Sequence, residues 1–330
     1  MGLQIRMWLL VALMFAILYG VITGIGSYMG AGSAGVYLIL GLVFLGIQYL
    51  VSPYLVQLMM RVKWVSQEEE PELHQMVAEL AEQAGIPKPR VGISQISIPN
   101  AFAFGRTMRD GRVCVTEGIR SLLSKQELRA VLGHEISHIK HRDMMIISLL
   151  SVIPLILYWL SWNLMWGRRL GSKRESGGYA ALIGLGVLLA YFITNLLVLY
   201  GSRIREYYAD SGSVSIGNPP QHLASALYKL VFGAAWLKRN PAAQEEMKRV
   251  EGVKAFFLND VSQATNELRE LKELDEDLSG TIDRNELLHV RSKTVKLHRG
   301  EKLLEIFTTH PNMLKRIKHL ASLACEENPL

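Results

Sequence analysis

Two apolar runs lie close together in this chain, Met144 to Trp166 and Gly178 to Tyr200, and they limit its folding more than anything else in the sequence. Each has about the 20 residues needed to cross the hydrocarbon of a bilayer. In lipid no water satisfies the backbone, so a run of this kind has to form a helix unless it belongs to a closed barrel. Two further runs qualify: Met7 to Met29, flanked only by Arg6, and Tyr37 to about Leu58, which ends before Arg61 and Lys63. The first is too long for a signal peptide and has no convincing cleavage site before the next run. A chain that is 49% hydrophobic and 20% charged, with a mean hydropathy of +0.18, is therefore segmented, with four helical spans alternating with polar stretches.

Sidedness follows the basic residues near the span ends. Residues 30–35 carry no charge, whereas Arg6, Arg61, Lys63, Lys140, Arg142, Arg203 and Arg205 flank the other ends. That majority places both termini and the large polar segments on the cytoplasmic side of the cell membrane. Arg168, Arg169, Lys173 and Arg174, in the loop after the third run, point the other way. Trp159, Trp162 and Trp166 bunch toward that loop, as an interfacial aromatic belt does. The net charge of +6 is spread around span ends, which favours a lipid surface over nucleic acid as the partner. Cys114 and Cys325 stand far apart in no CxxC, so neither a disulfide framework nor a thiolate metal site is expected.

The polar stretches have their own periodicities. Leu73, Met76, Val77 and Leu80 recur at helical spacing between Pro71 and Ala84, and Gly85 with Pro87 ends that helix. From Arg90 to about Thr116 the pattern is strand-like, with "RDGR" as an Asp-Gly hairpin turn. Ser124 and Glu127 form a capping box opening a helix, with Leu128, Val131, Leu132 and Ile136 as its buried stripe. The division that follows is 1–60 for the first two spans, 61–143 for the strands and this helix, and 144–201 for a transmembrane hairpin. The rest divides into 202–240, an acidic insert at 241–306 and a C-terminal segment at 307–330.

The capped helix contains "HEISH". His134 and His138 are four residues apart, so on a helix they share a face at about 5–6 Å. That separation lets both imidazoles meet one zinc ion, with Glu135 beside the open coordination position as general base. A catalytic zinc needs a third protein ligand, and "SRIREYYAD", Ser202 to Asp210, offers Glu206. Asp210, one turn further on the same face, can orient a ligand histidine. His138 is seven residues before Met145 and Glu206 six after Tyr200, so each lies on the order of 10 Å from its span end. An antiparallel hairpin of the third and fourth spans brings both sets to one height, in water above the membrane.

HEISH with His141-Arg142-Asp143, the REYYAD stretch, "IPNAFAFG" and "THPNMLKRI" together resemble the HtpX-like integral-membrane zinc metalloproteases, a gluzincin family that includes the prenyl-CAAX endopeptidases. The likeness runs from the paired N-terminal spans to the terminal helix. It implies a predominantly helical protein with an α+β zincin-type domain and four transmembrane helices. It also implies a zinc endopeptidase with a cytoplasmic catalytic domain, hydrolysing damaged or misfolded polypeptides, membrane proteins among them, in quality control. Carried over by position, His134, His138 and Glu206 are the ligands of one Zn2+ ion and Glu135 is the catalytic base. The same likeness raises His310, in His310-Pro311, to a site residue stabilising the oxyanion. "SIPNAFAFG" suggests an edge strand that pairs with an extended substrate. A homo-oligomer is left open. The neighbouring reading, a prenyl-CAAX protease, is expected to need a larger enclosed chamber than four spans provide. A catalytically silent scaffold or calcium sensor is the remaining alternative, and Glu135 argues against silence.

The long acidic stretch between Glu206 and His310 departs from the family pattern. Within it, "DEDLSGTIDRNE" fits the twelve-residue calcium loop, with Asp275, Asp277, Ser279, Thr281, Asp283 and Glu286 at the ligand positions and Gly280 at the sharp turn. Ca2+ is therefore a second expected ion.

Overall fold

The computed structural model describes residues 34–166, 177–237, 274–292 and 306–326, together with Leu271 and part of 9–21. The first apolar run lies mostly outside the described residues. So do the basic loop at Arg168 to Arg174, and most of the acidic insert before Leu274. The chain divides into two compact units, one of Met1–Val51 with Met145–Ser202, the other of Ser52–Met144 with Arg203–Leu330.

The first unit is helical. Its elements come from α1 (Ala34–Met59), α5 (Asp143–Trp166) and α6 (Gly177–Ser215), so the second, third and fourth apolar runs are all helices. Among the described residues one helix, Ala181–Ser215, is long and apolar enough to cross a membrane, while Tyr49–Met59 and Leu150–Met165 are shorter apolar helices. Leu182, Leu185, Leu189, Phe192, Trp159 and Trp162 keep their side chains exposed, which water would penalise and lipid does not. Tyr158 of α5 meets Tyr191 of α6 at 5.5 Å between ring centroids. Gly184 lets the same two helices approach, since a Cβ there would stand 2.6 Å from Met165 Cγ.

The second unit is built on a four-stranded sheet of order β1-β2-β4-β3, comprising β1 (Val62–Trp64), β2 (Arg90–Ser94), β3 (Ala101–Phe104) and β4 (Arg112–Thr116). β2 and β4 are parallel, and the outer strands β1 and β3 are antiparallel to their neighbours. Alternation along each strand sorts its side chains between two cores. Val91, Ile93, Ala101, Ala103, Val113 and Val115 enter the main core, which holds the helices. Phe102, Phe104 and Cys114 enter a smaller core on the other face, with Val56, Met60, Ile96 and Ile98. β1 is too short to signal itself in the sequence, where Lys63 reads only as a span-end charge.

β3 and β4 form the expected hairpin, but not through a tight Asp-Gly turn. A 3-10 turn at Met108–Asp110 makes the connection, and Gly111 has extended angles, φ −62° and ψ 135°. The residue with positive φ is Gly105, at 145°. Asp110 instead works through its side chain, taking hydrogen bonds from Arg106 at 2.8 Å and Arg112 at 3.0 Å. A carboxylate gripped by two guanidinium groups closes a wider loop than a type I′ turn would.

Around the sheet pack α2 (Pro71–Ala84), α3 (Glu117–Leu122), α4 (Lys125–Lys140), α7 (Pro220–Leu237), α8 (Arg284–Ser292) and α9 (Met313–Glu326). α2 has its expected bounds and buries Leu73, Met76, Val77 and Leu80, with Gly85 at φ 69° closing it. α4 carries the expected capping box between Ser124 and Glu127. Glu127 also takes hydrogen bonds from Ser225 Oγ at 2.6 Å and Lys229 Nζ at 2.9 Å, which ties the start of α4 to α7.

The packing that matters most for the site is α6 on α4. Gly212 of α6 sits against Ser137 of α4, where an added Cβ would collide with the serine hydroxyl and lie 2.6 Å from its Cβ. One turn away Gly133 of α4 faces Ser213, whose hydroxyl would be 2.8 Å from a Cβ there. Ser213 in turn donates to the Ala130 carbonyl at 2.6 Å. Small residues on both helices thus bring two backbones into contact beside HEISH. Gly212→Ala is expected to cost on the order of 1–3 kcal/mol of stability by overpacking, measured as a lowered melting temperature. Adding Ser137→Gly should recover part of the loss, and a purely additive double mutant would mean that the two positions do not touch.

Candidate metal centre

His134 and His138 leave one face of α4 on successive turns, their rings edge to face at 4.7 Å between centroids and an interplanar angle of 87°. Their Nε2 atoms are 3.1 Å apart. Glu206 arrives from α6, with Oε2 at 3.5 Å from His134 Nε2 and Oε1 at 3.6 Å from His138 Nε2. The three side chains are buried, and each offers a ligand atom within 4.8 Å of the other two. Bonds of about 2.0–2.1 Å in tetrahedral array would set ligand atoms roughly 3.3 Å apart. The two Nε2 atoms are 3.1 Å apart and stand 3.5 and 3.6 Å from the two different oxygens of Glu206, so the three side chains gather closely enough to hold one zinc ion. Glu206 Oε2 is buried and faces His134, His310 and Arg316 at 3.5, 3.5 and 3.1 Å.

Each neighbouring group has a definable task. Asp210 stands where the sequence places it, with Oδ1 2.9 Å from His134 Nδ1. A carboxylate there takes the Nδ1 proton and leaves the Nε2 lone pair for metal. Glu135 is buried and accepts a hydrogen bond from the Ala103 backbone of β3. Burial pushes its carboxyl up, and the two histidines pull it back only in part. A carboxylate made more basic by desolvation is suited to taking a proton from water. His310 Nδ1 lies 3.5 Å from Glu206 Oε2, and both ring nitrogens are buried without a hydrogen-bond partner. Arg203 holds that segment, donating to the carbonyls of Ile306 at 3.0 Å and Thr308 at 2.8 Å.

Arg316 escaped the sequence reading. It comes from α9, is fully buried, and donates to Asp210 through Nε at 3.0 Å and Nη2 at 2.6 Å. Its Nη1 pairs with Glu206 Oε2 at 3.1 Å. The signal was present, since Met313, Ile317 and Leu320 form the buried stripe of α9 and Arg316 falls within it. A charged residue at an apolar position needs a buried partner. Asp143 is a second omission, with Oδ2 2.6 Å from His138 Nδ1. The centre therefore gathers four carboxylates, Glu135, Asp143, Glu206 and Asp210, against two guanidinium groups, Arg205 and Arg316. That balance is short of positive charge, as a dication site requires.

The expected calcium loop is folded but occupied with its own backbone. Asp275, Asp277 and Glu286 bring oxygens within 4.8 Å of one another. Asp275 accepts from Ser279 N, Gly280 N and the Tyr228 hydroxyl at 2.9, 2.9 and 3.0 Å. Glu286 accepts from Glu276 N at 2.7 Å and Asp283 N at 3.0 Å. Asp283 lies outside the group because its Oδ1 caps α8, accepting from Glu286 N at 2.8 Å. Ser279 and Thr281 share a hydroxyl contact at 2.9 Å.

The profile of Peptidase family M48 matches residues 66–324. A "Protease HtpX homolog" from Methanothermobacter thermautotrophicus is 54% identical over 230 residues, covering 70% of this chain and 86% of that protein. A "Protease HtpX homolog 2" from Methanosarcina acetivorans is 34% identical over 327 residues, 99% of this chain and 97% of that protein. Among solved structures, S. mikatae Ste24p shares the fold, with a TM-score of 0.52 at 14% identity over 96% of this chain and 67% of that one.

The protein's own groups already favour a cation at the site. Burial alone would push the His134 imidazole down, but hydrogen bonds to Asp210 and then Glu206 hold it up at about 9. Below that pH a proton occupies His134 and zinc must displace it, so the apparent zinc affinity should rise as pH rises toward 9. Calorimetry of zinc binding at pH 7 in buffers of different ionisation enthalpy should show about one proton released per zinc. A heat independent of the buffer would contradict this balance.

Proposed function

The chain belongs to Peptidase family M48, and on that premise we propose that it cleaves damaged or misfolded membrane polypeptides on the cytoplasmic side, with His134, His138 and Glu206 as its zinc ligands. It is a membrane zinc endopeptidase. The observation that supports the assignment of residues is the convergence of those three buried side chains, each with a ligand atom within 4.8 Å of the other two, with the basic carboxylate of Glu135 beside them. Four spans with cytoplasmic polar segments complete the proposal, supported by the apolar runs and their flanking basic residues.

Zinc, when bound, supplies a Lewis acid that polarises the scissile carbonyl and acidifies a water. Glu135 takes a proton from the attacking water as the new C–O bond forms. It then returns that proton to the leaving amine as the C–N bond breaks, so the proton count closes. Asp210 and Arg316 keep His134 in the tautomer that presents Nε2. His310 is buried beside Glu206, with Nδ1 3.5 Å from Oε2, and on this reading supplies a donor for the oxyanion. β3 is the last strand of the sheet and lies beside Glu135, and pairing of an extended polypeptide with it is part of the proposal. Calcium at Asp275, Asp277 and Glu286 is a further part of the proposal, supported by the converging oxygens and by the position-by-position fit to the calcium loop.

Glu135→Gln should retain stoichiometric zinc and lose activity by on the order of 10²–10⁴-fold, in a casein cleavage assay of the detergent-purified protein. His134→Ala, His138→Ala and Glu206→Ala should lose zinc and activity together. Wild-type cleavage by Glu135→Gln would refute the mechanism. For the loop, calcium should raise the melting temperature of the wild type and leave Glu286→Gln nearly unmoved. Equal shifts in the two proteins would make the loop a charged turn only.

A further inference from the structure

We propose that Asp143 and Arg205 form an orienting pair that fixes the His138 ring for metal and ties it to the helix supplying Glu206. The proposal rests on reading His134, His138 and Glu206 as metal ligands. His138 Nδ1 is 2.6 Å from Asp143 Oδ2, and Asp143 Oδ1 is 3.1 Å from Arg205 Nε. Asp143 is 2% exposed and Arg205 6%, so neither charge has water to answer it. A carboxylate can only accept, so Nδ1 carries the hydrogen. The Nε2 lone pair then faces His134 Nε2 at 3.1 Å and Glu206 Oε1 at 3.6 Å. The ring is thus set in the metal-binding tautomer and rotamer by the fold alone.

The arrangement repeats the one at His134 with other elements. There Asp210 holds the imidazole and Arg316 holds Asp210. Here Asp143 is the first residue of α5, and Arg205 belongs to α6. A left-handed residue makes the geometry. α4 ends at Lys140 with His141 as its cap, Arg142 takes φ 57°, and Asp143 is brought back to the His138 ring in the last turn of α4. For a residue other than glycine that conformation is disfavoured, and here a buried ion pair and a short hydrogen bond offset it. Arg205 also directly precedes Glu206, so the pair fastens the α4–α5 turn to the backbone beside the third ligand. Displacing either member would loosen two ligands at once. Asp143 and Arg205 are therefore positioning residues, since neither reaches the reacting atoms.

The test uses the full chain in detergent and measures zinc dissociation by competition with a chelator. Asp143→Ala should weaken zinc binding about 10–100-fold. Asp143→Asn, whose amide oxygen still accepts the Nδ1 hydrogen, should weaken it less, and Arg205→Gln should weaken it through Glu206. Melting of zinc-stripped and zinc-loaded protein separates this from a structural effect. The loaded form of Asp143→Asn should lose more than the stripped form, and if Asp143→Ala does not fold, Asp143→Asn carries the test. Wild-type zinc affinity in both Asp143→Asn and Arg205→Gln, or equal melting losses with and without zinc, would overturn the pair. A folded wild type that takes up no zinc would instead overturn the ligand assignment beneath it.

Discussion

A guanidinium without access to water can persist in a folded protein only beside carboxylates, and the fully buried Arg316 makes the whole centre conform to that demand. Removing an ion from water costs several kcal/mol even after relaxation. Asp210 meets the cost with two hydrogen bonds, and Glu206 adds the ion pair at 3.1 Å. Those two carboxylates are in turn the groups that face His134. One buried charge therefore fixes the relative places of α9, α6 and α4, and the imidazole inherits a single orientation. Removing the guanidinium would leave two buried carboxylates underpaired, which is more damaging than the loss of one contact.

The sequence announced what depends on local spacing. The helical runs, the capping box, the i,i+4 histidines and Asp210 one turn after Glu206 were all legible, because a helix turns spacing into position without help from the rest of the fold. α6 continues unbroken through Ser215, so residues counted from Tyr200 landed where the rise per residue put them. Arg316 was missed because its partners lie 106 and 110 positions earlier in the chain, a separation no window spans. Asp143 was missed for another reason. It is five residues from His138, which on a continuous helix would place it on a different face, and only the left-handed Arg142 brings it back. The Asp110-Gly111 turn was misread because the Asp110 side chain, not the glycine backbone, closes the loop. β1 spans three residues and gives no periodicity to read.

The same features show where stability is given up for chemistry. Gly133 and Gly212 sit inside helices, where glycine costs about 1 kcal/mol relative to alanine. Arg142 holds a strained backbone angle, and four carboxylates share a small dry volume with two guanidinium groups. Each of these lowers the stability of the protein without its ion and each shapes the ligand set. On the proposed reading a dication answers the excess of carboxylates, and its binding energy would add to the folding energy. The site is thus coupled to the stability of the second unit through charge as well as through packing.

β3 shows the same exchange at the end of the sheet. Ala101 and Ala103 face α4, and their small side chains let that helix come near enough for Glu135 to take the Ala103 backbone hydrogen bond. Phe102 and Phe104 turn to the opposite core, where they stack at 5.8 Å. The strand has no lysine, no proline and no charge, the devices by which edge strands usually avoid pairing with other chains. It is protected by being short, four residues, and by being covered, since all four are buried. On the proposed reading the omission follows from the task. A strand that must receive an extended polypeptide beside Glu135 cannot also carry groups that repel one, so the liability is confined to a few residues held next to the catalytic base.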